Sequence, residues 1–215
     1  DAQGTDADTC VVERLGSEQF TDAPPTGSSV LRRGSIAGGS QYHCPLDPVI
    51  PIKDLRNDST RTAFKSSIDA ITPGGWTSGH LGAAWGWYSV SPNWANTWPS
   101  SSRPLAYGRR DVIKAVVLMT DGVFNTAHTG NPSDTSTNAL DPDSSAYQAL
   151  QLCTAMRNAG VMLYAVSFQA PETAEQLMED CAGGTENAYN ADTASDLINS
   201  FRDIAVKLQA IRLTN

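Results

Sequence analysis

The sequence predicts an α/β fold built on a parallel sheet, and three observations lead to this prediction. The stretch from Ile113 to Met119 is almost entirely apolar and stops at Thr120-Asp121-Gly122, which is typical of a strand covered by helices on both faces. A second apolar run extends from Val161 to Phe168. Segments with helical spacing of apolar residues lie between and after these runs, and such alternation of strands and helices favours a parallel sheet.

Residues 1–56 show no helical or strand periodicity. They are rich in turn-forming sequences such as Ala23-Pro-Pro-Thr-Gly and Pro45-Leu-Asp-Pro. A structureless stretch of this length inside a domain needs a tether. We therefore expect an irregular, tethered N-terminal region at 1–56, followed by the α/β part at 57–215.

Two helices are predicted before the first apolar strand. Phe64, Ile68 and Ile71 recur on one helical face, and Pro73-Gly-Gly follows that segment. The second helix ends at Pro92. The apolar face of the second helix consists of Leu81, Ala84, Trp85 and Tyr88.

The connector between the second helix and the strand contains Trp94 and Trp98. Two interpretations are open for these rings. They could form a stacking platform for a sugar, or they could pin a long loop to the body of the protein, which is the more common role of aromatic residues in loops.

Three helices and one short strand are predicted after Asp121. Asp143-Ser-Ser caps the third helix, which ends at Gly160. Pro171 opens the fourth helix, a short strand lies near Ala188, and Thr193 to Asp196 has the capping-box spacing at the start of the fifth helix. The apolar faces are Ala146, Ala149, Leu150, Cys153 and Met156; then Ala174, Leu177, Met178 and Cys181; then Leu197, Phe201, Ile204, Leu208 and Ile211.

Charge and hydropathy exclude two classes of partner. A net charge of −8 argues against binding nucleic acid through phosphate neutralisation, and it fits solubility or the attraction of cations. No apolar run approaches the roughly 20 residues that span a bilayer. The chain lacks a starting Met and any signal-peptide pattern, so we expect a mature or trimmed fragment.

The four cysteines are Cys10, Cys44, Cys153 and Cys181. An even number at wide spacing suggests two disulfides and an extracytoplasmic location, the periplasm or the cell surface. Three pairings are possible; we favour Cys10–Cys44 and Cys153–Cys181 because each closes a moderate loop within its own region. The alternative is four buried thiols in a cytosolic protein. A zinc site is not expected, since there is no C-x-x-C pair and the three histidines are scattered.

Several motifs resemble those of a known family. Gly75-Trp-Thr-x4-Gly82 and Val117-Leu-Met-Thr-Asp-Gly resemble the von Willebrand factor A domain. Cys10-Val-Val-Glu-Arg, the segment from Ala84 to Pro92, the Cys153/Cys181 pair and the last helix are similar to the A-type domain of TadG-like pilus-assembly proteins of tight-adherence systems. The similarity covers roughly residues 57–213.

The resemblance implies a doubly wound, Rossmann-type sheet with a metal-ion-dependent adhesion site. In that family Mg²⁺ is bound by an Asp-x-Ser-x-Ser loop, a threonine and an aspartate, and by position Thr77 and Asp121 match the last two. A carboxylate from a ligand would complete the shell of oxygens. The implied function is a non-catalytic binding module of a bacterial cell-envelope pilus or adhesion protein, with protein partners.

The chain departs from the family pattern at one important point. Asp134-Thr-Ser-Thr and Asp192-Thr-Ala-Ser have similar letters to the Asp-x-Ser-x-Ser loop, but neither follows an apolar strand. We therefore expect the chain to begin after the first three strands of the domain. The strand ending at Asp121 would then have an unpaired edge, which soluble proteins avoid, so a complementing upstream segment of the same domain is predicted.

Two other functions stay open. The fold could serve only for assembly contacts, with a decayed cation site. An enzyme is not expected, because no Gly-x-Ser-x-Gly motif occurs and no histidine follows a strand. His80, three residues after Thr77, is predicted to be a partly exposed helix residue that could contact a ligand. The tryptophan-rich connector leaves a carbohydrate-binding role as a third possibility.

Overall fold

A computed structural model of the chain shows an α/β protein with a three-stranded parallel sheet. Two short strands, β1 (Val11–Val12) and β2 (Arg32–Arg33), pair antiparallel near the N-terminus. The main sheet has the order β3-β4-β5, and its strands are β3 (Ala115–Thr120), β4 (Met162–Phe168) and β5 (Ala188–Ala191). The residues that the structure describes are 11–27, 31–33, 47–72, 76–128 and 136–214.

Helices lie on both faces of the main sheet. Helices α2, α3 and α4 pack against one face and against each other, while α5 covers β4 and β5 on the opposite face. This arrangement confirms the predicted α/β class with a parallel sheet. The doubly wound order stays a prediction, because three strands do not define it. The helices are α1 (Asp58–Asp69), α2 (Gly79–Val90), α3 (Ser145–Asn158), α4 (Glu172–Ala182) and α5 (Ala194–Thr214).

Local signals in the sequence fix the starts of two helices. The Ser144 side chain accepts a hydrogen bond from the Tyr147 amide at the start of α3. At the start of α5, Thr193 Oγ1 accepts from the Asp196 amide, and Asp196 Oδ2 accepts from the Thr193 amide. The second pair is the reciprocal arrangement of a capping box, so both predicted caps are confirmed.

The side of the sheet that faces α2, α3 and α4 contains most of the core. Val116 and Leu118 of β3 and Leu163 and Ala165 of β4 belong to this core. Alternate residues point to the other face, where Val166 packs in a smaller cluster with α5.

A disulfide between Cys153 and Cys181 joins α3 to α4 inside the main core. Both residues are fully buried, and their Cα atoms are 5.2 Å apart. The predicted Cys153–Cys181 pairing is therefore confirmed. Cys10 and Cys44 lie outside the described residues, and their pairing stays a prediction.

Strand β3 differs from its prediction in the coverage of one face, whereas an unpaired edge was expected for this strand. Within the described part of the chain β3 is an edge strand and β4 is central, and the Met119 side chain is 52% exposed. The prediction of helices on both faces is wrong for β3 and holds for β4. The reason is that α5 lies over β4 and β5, which leaves the neighbouring face of β3 partly open.

The orientation of α5 differs from its prediction at Phe201, which is 43% exposed although its spacing places it with the inward residues. Lys207 lies over the Tyr189 ring of β5, so that flank of α5 faces β5. Phe201 is about 120° away around the helix and therefore lies on a different flank of α5 from Lys207.

Helix α1 forms as predicted, with Asn57 capping its first turn, but its apolar face is not packed. No residue of α1 is buried. Ile68 and Ile71 are about half exposed (48% and 49%). Local periodicity therefore identified the helix but not its environment.

Residues 11–27 pack against the α/β body and are not a loose N-terminal region. The Asp22 carboxylate accepts hydrogen bonds from Ser91 Oγ and Tyr107 Oη, and the Trp94 indole donates to the Asp22 carbonyl oxygen. Arg14 lies over the Trp94 ring. Burial, together with the hydrogen bond to the Asp22 carboxylate and the charge of that carboxylate, raises the pKa of Tyr107 to about 12. The division at residues 56/57 stays a prediction.

The tryptophans of the connector are core residues. Trp94 and Trp98 are both buried. The Trp94 ring stacks on Tyr88, and the Trp98 indole donates to the Tyr88 carbonyl oxygen at 2.8 Å. The interpretation that these rings pin the loop is confirmed, and a sugar platform built from them is wrong.

Among the described residues, no helix has the length and apolar character needed to cross a bilayer.

The first residue of α2 allows a test of how closely the loop after β3 packs on this helix. A Cβ atom at Gly79 would lie 2.3 Å from the Phe124 ring, whereas one at Gly82 would lie 3.8 Å from Leu118. We expect Gly79→Ala to lower the free energy of unfolding by about 1–3 kcal/mol through overpacking. Gly82→Ala is the matched control and should be neutral or slightly stabilising. Urea denaturation measures both, and equal stability of the two variants would contradict the packing.

Candidate functional site

The carboxyl edge of the main sheet carries the predicted site residue Asp121. Strands β3 and β4 end together, with Thr120 opposite Ser167. The Thr120 hydroxyl donates to the Gly122 carbonyl oxygen at 2.8 Å and accepts from the Gly122 amide. This turn directs the chain away from the sheet at Asp121, which is exposed. A carboxylate at this position can meet a ligand, as is usual at the carboxyl ends of parallel strands.

Thr77, the other predicted site residue, is bonded to the loop that follows Asp121. The Thr77 amide donates to Asn125 Oδ1 at 2.9 Å. The Thr77 carbonyl oxygen accepts from the amides of Asn125 and Thr126, at 3.0 and 3.2 Å. Three hydrogen bonds therefore hold the segment before α2 to Asn125 and Thr126, four and five positions after Asp121.

Packing against the core also fixes the loop that follows Asp121. Phe124 is buried in the main core and lies against Gly79, the first residue of α2. The segment that contains Thr77 thus lies against the loop that begins at Asp121. Among the described hydrogen bonds, none joins the Thr77 and Asp121 side chains directly.

The chemistry of the donor atoms suits a hard cation, but the number of donor atoms is small. A threonine hydroxyl and an aspartate carboxylate are oxygen ligands of the type that Mg²⁺ prefers, and Mg²⁺ keeps several waters in its octahedral shell. No group of three or more His, Cys, Asp or Glu side chains suited to a metal occurs within the described ranges. Thr77 and Asp121 could therefore hold a cation only together with water and further ligands.

Ser167 is a third hydroxyl at this edge that the sequence did not indicate. It is almost completely buried, and its Oγ atom has no hydrogen-bond partner within the part of the chain that the structure describes. Its place beside Thr120 follows from the register of β3 and β4. Register depends on strand pairing, and the local sequence does not contain that information.

A second constellation, which sequence analysis missed, lies beneath the loop. His80 Nδ1 is 2.8 Å from Ser145 Oγ, and His80 Nε2 is 3.2 Å from Glu13 Oε2. Glu13 Oε1 accepts a hydrogen bond from the His128 amide, and His128 Nδ1 is 3.5 Å from Glu13 Oε2. These residues come from the N-terminal segment, α2, the loop after β3 and α3.

The Ser145–His80–Glu13 order resembles a nucleophile, base and orienting acid, but its environment does not suit catalysis. All three side chains are buried, with His80 and Ser145 fully enclosed. The cavity beside Glu13 and His80 has a volume of about 10 Å³, roughly the space of a single water molecule. In this arrangement the cluster joins four segments of the chain and leaves no room for a substrate.

The prediction that His80 is partly exposed is therefore wrong. Its position on the first turn of α2 was inferred correctly, but contacts with Glu13 and Ser145, which are 67 and 65 residues away in sequence, enclose it. No periodicity in the sequence reports contacts over such distances. A charged residue directly after the apolar Val11-Val12 pair is a weak signal that Glu13 is buried.

Glu13 is ionised within this cluster. Burial alone would raise the pKa of its carboxyl, but hydrogen bonds from His128 and His80, and the charge of His80, outweigh burial and hold the pKa well below its usual range. A buried carboxylate is stable only when it is paired and hydrogen-bonded in this way.

A larger cavity than the one beside Glu13 lies elsewhere among the described residues. It has a volume of about 200 Å³ and lies at the amino ends of β3 and β4, beside Tyr107, Lys114 and Met162. Lys114 Nζ donates to the Val90 carbonyl oxygen at 2.6 Å and lies over the Tyr107 ring. The half-buried cation Lys114 of this cavity is therefore occupied by contacts inside the protein, and the carboxyl edge with Thr77 and Asp121 remains the better candidate site.

Comparisons with known proteins do not establish a family. No protein-family model matches the chain, and no curated protein matches it. A solved structure that does match is the pilus adhesin SpaC from Lactobacillus rhamnosus GG, with a TM-score of 0.48 and 14% identity. The match covers 88% of this chain and 24% of SpaC, so the chain spans about a quarter of that protein's length. A similarity at this level carries no argument about fold or function.

The Glu13 cluster yields a prediction about stability and pH. We expect Glu13→Gln to lower the free energy of unfolding at pH 7 by about 3 kcal/mol, because the substitution removes a buried carboxylate whose hydrogen-bond partners are then left poorly satisfied. Because the folded pKa is depressed, the contribution of Glu13 is fully present above the ordinary pKa of about 4.5 and is lost as the pH falls below it. The difference between wild type and variant should therefore shrink between pH 5 and pH 3.

Urea denaturation at pH 7, 5 and 3 measures this difference. Glu18→Gln is a suitable control, because Glu18 lies on the turn Gly16–Glu18 of the same segment, is only half-buried, and accepts hydrogen bonds from hydroxyl groups that an amide oxygen can also accept. A difference between wild type and Glu13→Gln that is independent of pH would show that the carboxylate is not held in its charged form by the histidines.

Proposed function

We propose that this chain is a non-catalytic binding or assembly module of a bacterial cell-envelope pilus or adhesion protein, and that it engages protein partners through a divalent cation, Mg²⁺. One observation carries the proposal: three hydrogen bonds hold Thr77 to the loop that begins at Asp121, at the carboxyl edge of a parallel sheet. The sequence resemblance to von Willebrand factor A domains, and to TadG-like proteins in particular, supports the same two residues as cation ligands.

The proposed role of the chain is to present two oxygen ligands on a rigid edge. The Thr77 hydroxyl and the Asp121 carboxylate would hold the cation, and bound Mg²⁺ would supply a Lewis-acidic point for a carboxylate of the partner. The exposed position of Asp121 leaves space for such a partner. The excess of acidic residues in the chain also favours the attraction of cations.

An extracytoplasmic location is part of this proposal. The buried Cys153–Cys181 disulfide supports it, since such structural disulfides form and persist mainly in oxidising compartments. The pairing joins two helices of the main core, which is the role expected of a structural disulfide.

We also propose that a complementing strand pairs with the outer edge of β3. Within the described residues β3 has one strand neighbour, β4. The apolar side chain of Met119 on this strand is 52% exposed. A segment of the same domain, supplied by a longer form of the protein, would cover it and extend the sheet toward the doubly wound arrangement.

A purely structural module with a decayed cation site is the second candidate. The specific observation in its favour is the small number of ligands, since only Thr77 and Asp121 offer oxygens that fit the predicted pattern. The two candidates differ in whether the chain binds a cation through these residues.

Calorimetric titration with MgCl₂ tests the cation proposal. We expect wild type to bind one Mg²⁺, and Asp121→Ala and Thr77→Val to weaken binding about tenfold or more, because each removes a ligand oxygen. Asp203→Ala, an exposed carboxylate on α5, should bind as wild type does. Equal binding by wild type and Asp121→Ala would exclude the proposed site and favour the structural candidate.

The complementing strand has a test of its own. Every second amide of β3 faces the outer edge, so in the isolated chain these amides should exchange with deuterium much faster than those paired with β4. Protein isolated from its native envelope should show slow exchange at all of them, and intact mass under denaturing conditions should reveal a second segment. Uniformly slow exchange in the isolated chain would argue against an open edge.

A further inference from the structure

We infer that Asn125 is a positioning residue for the cation site: its side chain fixes Thr77 relative to Asp121. This inference rests on the proposed function, but the geometry that supports it belongs to the chain alone. Asn125 is joined to Thr77 on both sides of the Thr77 residue, at its amide and at its carbonyl oxygen. Neither the sequence motifs nor the comparisons single out Asn125.

The hydrogen bond from the Thr77 amide to the Asn125 side chain is the one that backbone contacts cannot replace. The Thr77 carbonyl oxygen has two donors, the amides of Asn125 and Thr126. The Thr77 amide has one described acceptor, Asn125 Oδ1 at 2.9 Å. Without that acceptor the segment is held only on its carboxyl side, and the Thr77 side chain between the two attachment points can turn away from the edge.

Neighbouring donors fix the orientation of the Asn125 amide group. Asn125 Oδ1 faces the Thr77 amide and lies 3.2 Å from Thr126 Oγ1, which donates to it. An amide nitrogen in that position would face the Thr77 N–H, which can only donate, so the oxygen must point there. The acceptor is thus pre-oriented before any cation arrives, as an accurate binding site requires.

The loop that carries Asn125 is fixed at both ends of the short stretch that starts at Asp121. The Thr120 hydroxyl holds the turn at Gly122, and Phe124 is buried against the start of α2. Asp121 and Asn125 therefore belong to one rigid unit. Because the Asn125 side chain also accepts from the Thr77 amide, it helps to set the distance between the two ligand side chains.

The first measurement is cation affinity with Mn²⁺ as the probe, followed by electron paramagnetic resonance of the free ion. We expect Asn125→Ala to bind Mn²⁺ about tenfold more weakly than wild type, as is typical when a residue that orients a ligand is lost. Asn125→Asp keeps an acceptor oxygen and should restore binding. Asn57→Ala is the matched control, because Asn57 Oδ1 accepts from a backbone amide at the start of α1, away from the site.

The second measurement is hydrogen exchange of the Thr77 amide without any cation. Asn125→Ala should exchange this amide at least about tenfold faster than wild type, while Asn125→Asp and Asn57→Ala should not. If Asn125→Asp restored cation binding only through its added negative charge, the Thr77 amide would still exchange fast in this variant. Thermal unfolding of all variants shows whether a change is local to the site or reflects a loss of global stability.

The outcomes separate this inference from the proposed function. Mn²⁺ binding by Asn125→Ala at wild-type affinity, or unchanged exchange of its Thr77 amide, would overturn the positioning role. Absence of Mn²⁺ binding in wild type would instead overturn the cation proposal, and the exchange of the Thr77 amide would still decide whether Asn125 holds Thr77 in place.

Discussion

The loop from Asp121 to His128 is the constraint on which the rest of the arrangement depends. Within eight residues it leaves the sheet, buries Phe124 in the main core, binds Thr77 through Asn125, and donates a backbone hydrogen bond to Glu13. The sheet, the start of α2 and the N-terminal segment are held in place by this one stretch. Because its anchors are a buried ring and hydrogen bonds to buried groups, the loop cannot shift without exposing apolar surface or leaving polar groups unpaired. This stiffness is what makes its first residue a suitable place for a ligand.

The buried carboxylate of Glu13 explains why so many segments converge below that loop. A charge in a protein interior requires compensation by hydrogen bonds and an opposite charge, and Glu13 receives both from His80 and the His128 segment. Ser145 then satisfies the other nitrogen of His80. The result is a specific polar connection between regions that are far apart in sequence. An apolar cluster would tolerate small slips, whereas a hydrogen-bonded cluster fixes one alignment.

Helices cover the two faces of the main sheet to different extents, and the less covered region includes β3, the strand for which a complementing strand is proposed. One face carries three helices, but on the other α5 lies over β4 and β5 and leaves β3 partly open. The periodicity of the sequence does not predict this difference. The spacing of Phe201 with Ile204 and Leu208 indicates that the three residues share one face of α5, but it does not indicate how much of that face the sheet covers. The exposure of Phe201 and Met119 is set by where α5 lies relative to the edge of the sheet.

The sequence by itself determined the class of fold, five helices, three parallel strands, two helix caps and the Cys153–Cys181 pair. These features follow from apolar periodicity, turn residues and capping chemistry, which act over a few residues, or from a cysteine count with few possible pairings. Only the tertiary structure decided that His80 is enclosed, that Met119 of β3 is exposed, and that Asn125 binds Thr77. Those facts depend on contacts between residues tens of positions apart, and burial or hydrogen bonding over such distances is set by how elements pack and not by the local order of residues.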